Sequence, residues 1–337
     1  MTIKDAIAKV IERNGLTENE MAAVMGQIMT GGASDAQIAS LLTALRMKGE
    51  TVEEIAGAAR VMREKALKVN AGSGIVVDTC GTGGDGAHTF NISTTAAFVA
   101  AGAGLTVAKH GNRAISSRSG SADVLKALGV NVEAEQAKVE KCLAQVGIGF
   151  LFAPLMHSAM KYVMPARRDI GVRTIFNLLG PLTNPAGAKN QVIGVYDRKL
   201  VEPIALVLSK LGAVHVFVVH GHDGLDEITV TTATDVAMLK DGRVKTFTVT
   251  PEQFGMPIHH PDSIKGGDAE HNARITRDVL AGQKGAHRDI TILNAAAVIC
   301  AGGLSKFIDD AIALAEKSID SGAAAGKLDA LVKVCGA

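Results

Sequence analysis

Several absences narrow what this chain can be. Its four cysteines, Cys80, Cys142, Cys300 and Cys335, are scattered and form no Cys-x-x-Cys pair. They read as free thiols in a reducing compartment, which excludes a disulfide frame or a zinc site. Neither sign of charge is in surplus, since 35 Lys and Arg stand against 34 Asp and Glu. A net charge of +1 gives no global attraction to nucleic acid or to an anionic membrane. No stretch suits a membrane span: the uncharged run 89–108 is broken by Asn91, Ser93, threonines and glycines. The N-terminus lacks the apolar segment of a signal peptide, so the expectation is a cytoplasmic protein.

Two further absences concern ligands. No Gly-Lys-Ser/Thr follows the glycine spacing of a Walker loop, which argues against an NTPase. Between Asp85 and Asp123 there is not one Asp or Glu. The literal Gly81-x-Gly83-x-x-Gly86 fingerprint therefore has no acid to take a ribose hydroxyl, and a dinucleotide is disfavoured.

What is present reads as a folded enzyme, 47% hydrophobic and 20% charged. The pattern predicts an α/β protein with a small all-helical N-terminal domain (1–72) and a large α/β domain (73–337). The large domain is expected to hold a mostly parallel central sheet with flanking helices. Four helical segments fill the first 70 residues. Three of their starts carry capping boxes, at Thr17 with Glu20, Ser34 with Gln37 and Thr51 with Glu54. Packing or dimerisation is the plainest role for this unit. Strands are predicted at 75–77, 105–108, 148–152, 192–195 and 214–219, with helices at 94–103, 121–128, 139–145 and 200–211. An antiparallel strand at 244–249 follows, then helices from about 268, 289 and 305 and near 327–334. The alternation lapses at about 164–185, in two proline-bracketed helical turns that read as an excursion back to the helical unit, with a hinge and a cleft.

Three segments carry chemistry. Residues 77–86 pass from an apolar run through four glycines to a helix beginning near Ser93, a strand, nest and helix start suited to phosphate. The acid-free interval behind them holds His88, Lys109, His110, Arg113 and Arg118. Lys109 to Ser121 is a second strand-to-helix turn, with cations, serines and a helix capped by Ser121; a solvated basic loop is the alternative. Residues 220–228 place Asp223, Asp226 and Glu227 after the strongest strand, a setting that suits Mg²⁺ or, more blandly, a polar turn. His220 and His222 bring no third ligand at zinc spacing.

The motifs Gly-Thr-Gly-Gly-Asp (81–85), Lys-His-Gly-Asn-Arg (109–113) and Gly-Leu-Asp-Glu (224–227), in this order and spacing, resemble those of the anthranilate phosphoribosyltransferase family. The resemblance extends over essentially the whole chain, including Pro165-Ala166-Arg167-Arg168 and residues 180–185. It implies a nucleoside-phosphorylase type of fold and a homodimer through the helical domain. It implies transfer of the phosphoribosyl group from 5-phosphoribosyl 1-pyrophosphate to the amine of anthranilate, in tryptophan biosynthesis; the missing tryptophan fits weakly. By the resemblance, the sugar donor is held by Gly81, Gly84, Asp85, Thr89, Asn91, Ile92, Ser93 and Thr94, with Lys109, His110, Gly111, Asn112, Arg113, Ala114, Ile115, Ser116, Ser117 and Ser121. Anthranilate is received by Gly81, Asn112 and Arg167, and Mg²⁺ by Ser93, Asp226 and Glu227. Gly81 reads as bare backbone that faces donor and acceptor together. No dedicated acid or base is assigned, because the leaving group is good and an aryl amine is neutral. The alternatives are a pyrimidine nucleoside phosphorylase-like enzyme, which should lack the Asp226–Glu227 pair, and a nucleic-acid-binding relative, which should be basic.

Overall fold

The computed structural model describes residues 1–114 and 118–336; Ile115, Ser116 and Ser117 of the expected sugar-donor set lie outside the described residues. The chain opens with helices α1 (Ile3–Ile11), α2 (Glu18–Met29), α3 (Asp35–Lys48) and α4 (Val52–Lys65). The capping boxes at Thr17, Ser34 and Thr51 are all formed. A fourth, Thr2 with Asp5, starts α1. It escapes a search for Ser/Thr-x-x-Glu/Gln because the shorter aspartate performs the same reciprocal bonding.

Glu54, the capping acid of α4, is fully buried. It accepts from the Thr51 amide (2.8 Å), the Leu16 amide (2.9 Å) and Lys48 Nζ (2.9 Å), so one carboxylate joins α4 to the entry of α2 and the end of α3.

The α/β part runs β1 (Val76–Gly81), α5 (Ile92–Gly102), β2 (Thr106–Gly111), α6 (Ser121–Ala127), α7 (Gln136–Val146) and β3 (Ile148–Phe152). Short helices α8 (Ala153–Met156), α9 (Met164–Ile170) and α10 (Phe176–Leu179) follow, then β4 (Asn190–Gly194), α11 (Val201–Lys210), β5 (His215–Gly221), β6 (Thr234–Lys240) and β7 (Arg243–Val249). The chain closes with α12 (Ala269–Leu280), α13 (Ala286–Ala301), α14 (Ile308–Asp320) and α15 (Ala323–Cys335). The sheet order is β3-β2-β1-β4-β5-β6-β7, parallel through β5 and antiparallel beyond it.

Two strands differ instructively from the sequence reading. β1 runs past its apolar stretch to Gly81 because Asp78, fully buried, is bonded by the His110 amide (3.1 Å) and Asn184 Nδ2 (2.7 Å). β6, absent from the sequence reading, pairs with β7 through Asp241 and Gly242, both at positive φ (50° and 71°), between register partners Lys240 and Arg243. Asp-Gly is the strong signal for such a two-residue hairpin, and it stood in the sequence.

Side-chain alternation divides the strands between two apolar clusters. Val77, Val192, Phe217 and Val219 pack with α5 and α12–α15. Ile193, Val195, Val216 and Val218 pack on the opposite face with α11, and that cluster continues into α1–α4 and into Ala166, Phe176 and Leu179 of the 164–185 segment. Apolar contact is thus continuous between the helical unit and the 164–185 segment.

Truncation of Glu54 tests the helical platform. Glu54→Ala leaves Lys48 without its carboxylate, bonded only to the Gly49 carbonyl, and two amides unbonded, and is expected to cost about 3 kcal/mol in urea unfolding; a loss below ~1 kcal/mol would contradict its central place.

Candidate active site

Strands β1, β2, β4 and β5 all end in glycine, at Gly81, Gly111, Gly194 and Gly221. The chain leaves β1 toward β2 and leaves β4 toward β5, so β1 and β4 flank the switch point where open α/β sheets leave a crevice. Gly81 and Gly194 are register partners there. A Cβ on Gly81 would overlap the Asp226 carboxylate, and one on Gly194 the Asp226 backbone. The loop after β5 can fold back across β1 only because both positions lack side chains. Gly81 is therefore bare, first of all, to admit Asp226.

Asp226 Oδ2 accepts from the Gly83 amide (2.7 Å), and Glu227 Oε1 from the Ser93 amide (3.1 Å). The nest and the start of α5, suited by themselves to an anion, are thus partly occupied by the protein's own acids. Burial raises the pKa of Asp226 and the nearby charge of Asp85 raises it further; burial and then the charge of Asp226 raise that of Glu227, which Lys109 opposes. Acids held up in this way are an unbalanced negative site, which a cation relieves. Among the described residues no three His, Cys, Asp or Glu side chains converge to hold a metal. Two carboxylates and the Ser93 hydroxyl form a sparse all-oxygen set, which suits Mg²⁺ completed by phosphate and water oxygens.

The basic segment is arranged less directly than its sequence suggests. Lys109 is buried, donating to the Thr79 carbonyl (2.6 Å) and reaching the Ser93 hydroxyl at 3.5 Å. Arg113 pairs with Glu133 (2.5 Å) and lies over Phe152. His110 bonds the Gly180 carbonyl through Nδ1 (3.1 Å), while its Nε2 is buried with no partner among the described residues. Burial, then neighbouring His157, holds the His110 imidazole down to about 3, so it is neutral. Asn112 and Ser121 clasp each other: the Asn112 amide donates to Ser121 Oγ, which donates to the Asn112 carbonyl, both at 3.2 Å. The cap of α6 is Gly120 with Asp123, whose carboxylate also accepts from the Ala114 amide, and Ser121 is the first helical residue. Likewise α5 starts at Ile92 behind Asn91, without a side-chain cap, and Ser93 lies inside its first turn.

The remaining expected residues frame this crevice. Gly84 is exposed at φ +77°, Asp85 accepts from the Ala87 amide (3.3 Å), and Thr89 bridges to Lys265. Ile92 and Thr94 are buried, anchoring α5. Arg167, on α9, is half-buried against the Phe176 ring with no carboxylate partner among the described residues, and burial lowers its pKa. That leaves an unneutralised guanidinium, suited to an external carboxylate. His220 bonds the Val195 carbonyl and His222 pairs with Asp235.

Three supports escaped the sequence reading. Asn294 on α13, fully buried, accepts from the Ile228 amide (2.9 Å) and donates to the Ile228 carbonyl (2.8 Å), clamping the loop that carries Asp226 and Glu227. Asn272 on α12 donates to Asn91 Oδ1 (3.0 Å). Both are single amides in helices otherwise packed on the core, the signal that could have found them. Arg173 donates from Nη1 to the Gly84 carbonyl (3.0 Å) and its guanidinium lies 4.6 Å from the Tyr196 ring centroid. Tyr196 in turn donates its amide to Thr82 Oγ1 (3.1 Å), so the glycine loop is tethered from both sides.

Comparison with known proteins gives a family for this arrangement. Residues 4–66 match the helical bundle domain, and residues 73–325 the α/β domain, of a glycosyl transferase family. An anthranilate phosphoribosyltransferase of Anaeromyxobacter sp. (strain K) is 59% identical over 98% of each chain. That of Myxococcus xanthus is 54% identical over 99% of each. Among solved structures, the anthranilate phosphoribosyltransferase of Thermus thermophilus superposes with a TM-score of 0.93 at 43% identity, covering 98% of this chain and 99% of that one. The Saccharomyces cerevisiae enzyme, in complex with PRPP and Mg, gives 0.89 at 30% identity, covering 99% and 97%.

The Arg173 tether can be tested without any ligand. In Arg173→Ala, amide exchange across residues 82–86 should accelerate about fivefold, as expected for losing one exposed charged hydrogen bond, with global stability changed by less than ~1 kcal/mol. Unchanged exchange would remove the tether.

Proposed function

The chain belongs to the glycosyl transferase family of the anthranilate phosphoribosyltransferases, and we propose on that premise that it performs their reaction in tryptophan biosynthesis. The anthranilate amine bonds to C1 of 5-phosphoribosyl 1-pyrophosphate as the C1–O bond breaks and the amine nitrogen gives up one proton to the departing pyrophosphate or solvent, leaving N-(5-phosphoribosyl)anthranilate and pyrophosphate. The observation that carries this reading is the fold-back of Asp226 and Glu227 onto the glycine loop and the start of α5 at the switch point.

Ser93, Asp226 and Glu227 would hold Mg²⁺, which when bound supplies neutralisation of the pyrophosphate charge. The chain's own residues do the rest. The 81–94 loop and the 109–121 segment hold the donor, with Lys109 adding positive charge from beneath. Arg113 joins them by exchanging Glu133 for a donor phosphate. Arg167 takes the anthranilate carboxylate, and Asn112 with the Gly81 backbone positions the amine against C1. As the bond to pyrophosphate lengthens, positive charge grows on the sugar, and positioning with electrostatic stabilisation accounts for the rate. His110, neutral and bonded to Gly180, orients the loop rather than moving a proton.

Neither alternative is favoured, since the acidic pair that a pyrimidine phosphorylase should lack is built into the crevice and the net charge is +1. Residues 1–72 and 73–337 form the two domains, with 164–185 belonging to the helical one. A homodimer through the helical domain would cover apolar Ile11 and Met47, which are 66% and 72% exposed. Among the described residues no helix is long and apolar enough to cross a membrane, in keeping with a cytoplasmic enzyme.

Anthranilate fluorescence should fall when the protein, 5-phosphoribosyl 1-pyrophosphate and Mg²⁺ are all present, and persist when any one is omitted or EDTA is added. Asp226→Asn with Glu227→Gln should slow this decay ~10²-fold or more, several kcal/mol of lost charge stabilisation; decay at the wild-type rate sinks the metal assignment. Arg167→Ala should raise the KM for anthranilate ~10- to ~100-fold, the worth of a charge-assisted hydrogen bond. An effect confined to the sugar donor would contradict that placement.

A further inference from the structure

A cavity of about 590 Å³ opens at the opposite edge of the sheet, where β1, β4 and β5 begin and α13 ends. Asn190 and His215, register partners on β4 and β5, line it and are only 8% and 6% exposed. Neither side chain has a hydrogen-bond partner among the described residues, and His215 Nε2 is buried and unpaired. A buried ring nitrogen left unbonded beside a cavity is costly unless something else bonds it, and the neighbouring Asn190 amide is free to bond a ligand there.

Positive charge predominates around them. Lys189, Lys240 and Lys306 line the cavity against a single carboxylate, Asp241, and none of the four is in an ion pair among the described residues. In a chain of net charge +1, that is a local concentration of positive potential. The C-terminus of α13 would repel an anion, an effect reduced because the Val298, Ile299 and Cys300 carbonyls accept from the Gly302, Leu304 and Gly303 amides. Burial, then Lys240, holds His215 down to about 4, so its ring is a neutral hydrogen-bonding group. Ile75 and Val214, each more than half exposed, add an apolar wall.

We propose that this cavity is a second ligand site, separate from the crevice at the other end of the strands, which takes a small organic anion. The lysines hold its acidic group, Asn190 and His215 bond its polar atoms, and Ile75 and Val214 cover its hydrocarbon part. Carboxylate and phosphate share the required chemistry. The proposal does not rest on the transfer reaction.

Titration of the full chain with inorganic phosphate and, separately, with benzoate, followed by ¹⁵N NMR, tests it and distinguishes the two sources. Saturable shifts are expected at the Asn190 side-chain amide and at Lys240 and Gly302 with at least one of the probes. In Lys189→Gln/Lys306→Gln, two exposed positions whose exchange leaves the core intact, the apparent Kd at these signals should rise about tenfold or more. Shifts at Gly83 and Ser93 should be indifferent to that variant. Cavity signals that drift linearly with both probes, saturate equally in the variant, or stay still while only Gly83 and Ser93 move would overturn the second site.

Discussion

Asp226 lies across the ends of two strands because Gly81 and Gly194 give it room, and from there it bonds the Gly83 amide while Glu227 bonds the amide of Ser93. These contacts bring residues some 140 positions apart in sequence into one site. They also set a conflict, since two buried acids facing Asp85 repel one another and resist ionisation. The glycine loop, the start of α5 and the loop after β5 are consequently held together by contacts whose charge is not balanced within the chain. The rest of the carboxyl edge is support for that tension.

The support comes from side chains that never need to meet a ligand. Asn294 bonds both backbone groups of Ile228, so the acidic loop is fixed from α13. Asn91 is held by Asn272, and its Nδ2 bonds the Ser119 carbonyl, which ties the start of α5 to α12 and to the segment before α6. Asp78 gathers the His110 amide and the Asn184 side chain, joining β1 and β2 to the residues after α10. Neutral amides dominate this shell because they satisfy backbone groups without adding charge beside an already unbalanced site.

The helical platform enters the site from the opposite face. Its core merges with that of β4, β5 and α11, and the segment bearing Arg167 and Arg173 is packed into the same cluster. Arg173 reaches the glycine loop from there, whereas Arg167 has no ion-pair partner among the described residues. Strand direction separates two environments in one sheet: glycine ends and acids at the carboxyl edge, lysines with Asn190 and His215 at the amino edge.

The sequence by itself determined the fold class and most of the elements, β6 excepted. Capping boxes, apolar periodicity and glycine spacing are local signals, and the acid-free interval before Asp123 weighs against a dinucleotide. It also supplied the order of motifs by which Asp226 and Glu227 were joined to Gly81. Only the tertiary structure decided which partners those residues have: that Lys109 lies beneath the loop, that Arg113 is paired with Glu133, that Ser121 clasps Asn112 rather than capping a helix, and that Asn294 and Arg173 hold the loops. Hydrogen bonds between distant segments depend on strand order and on which side chains are missing from a strand end, and neither leaves a periodic trace along the chain.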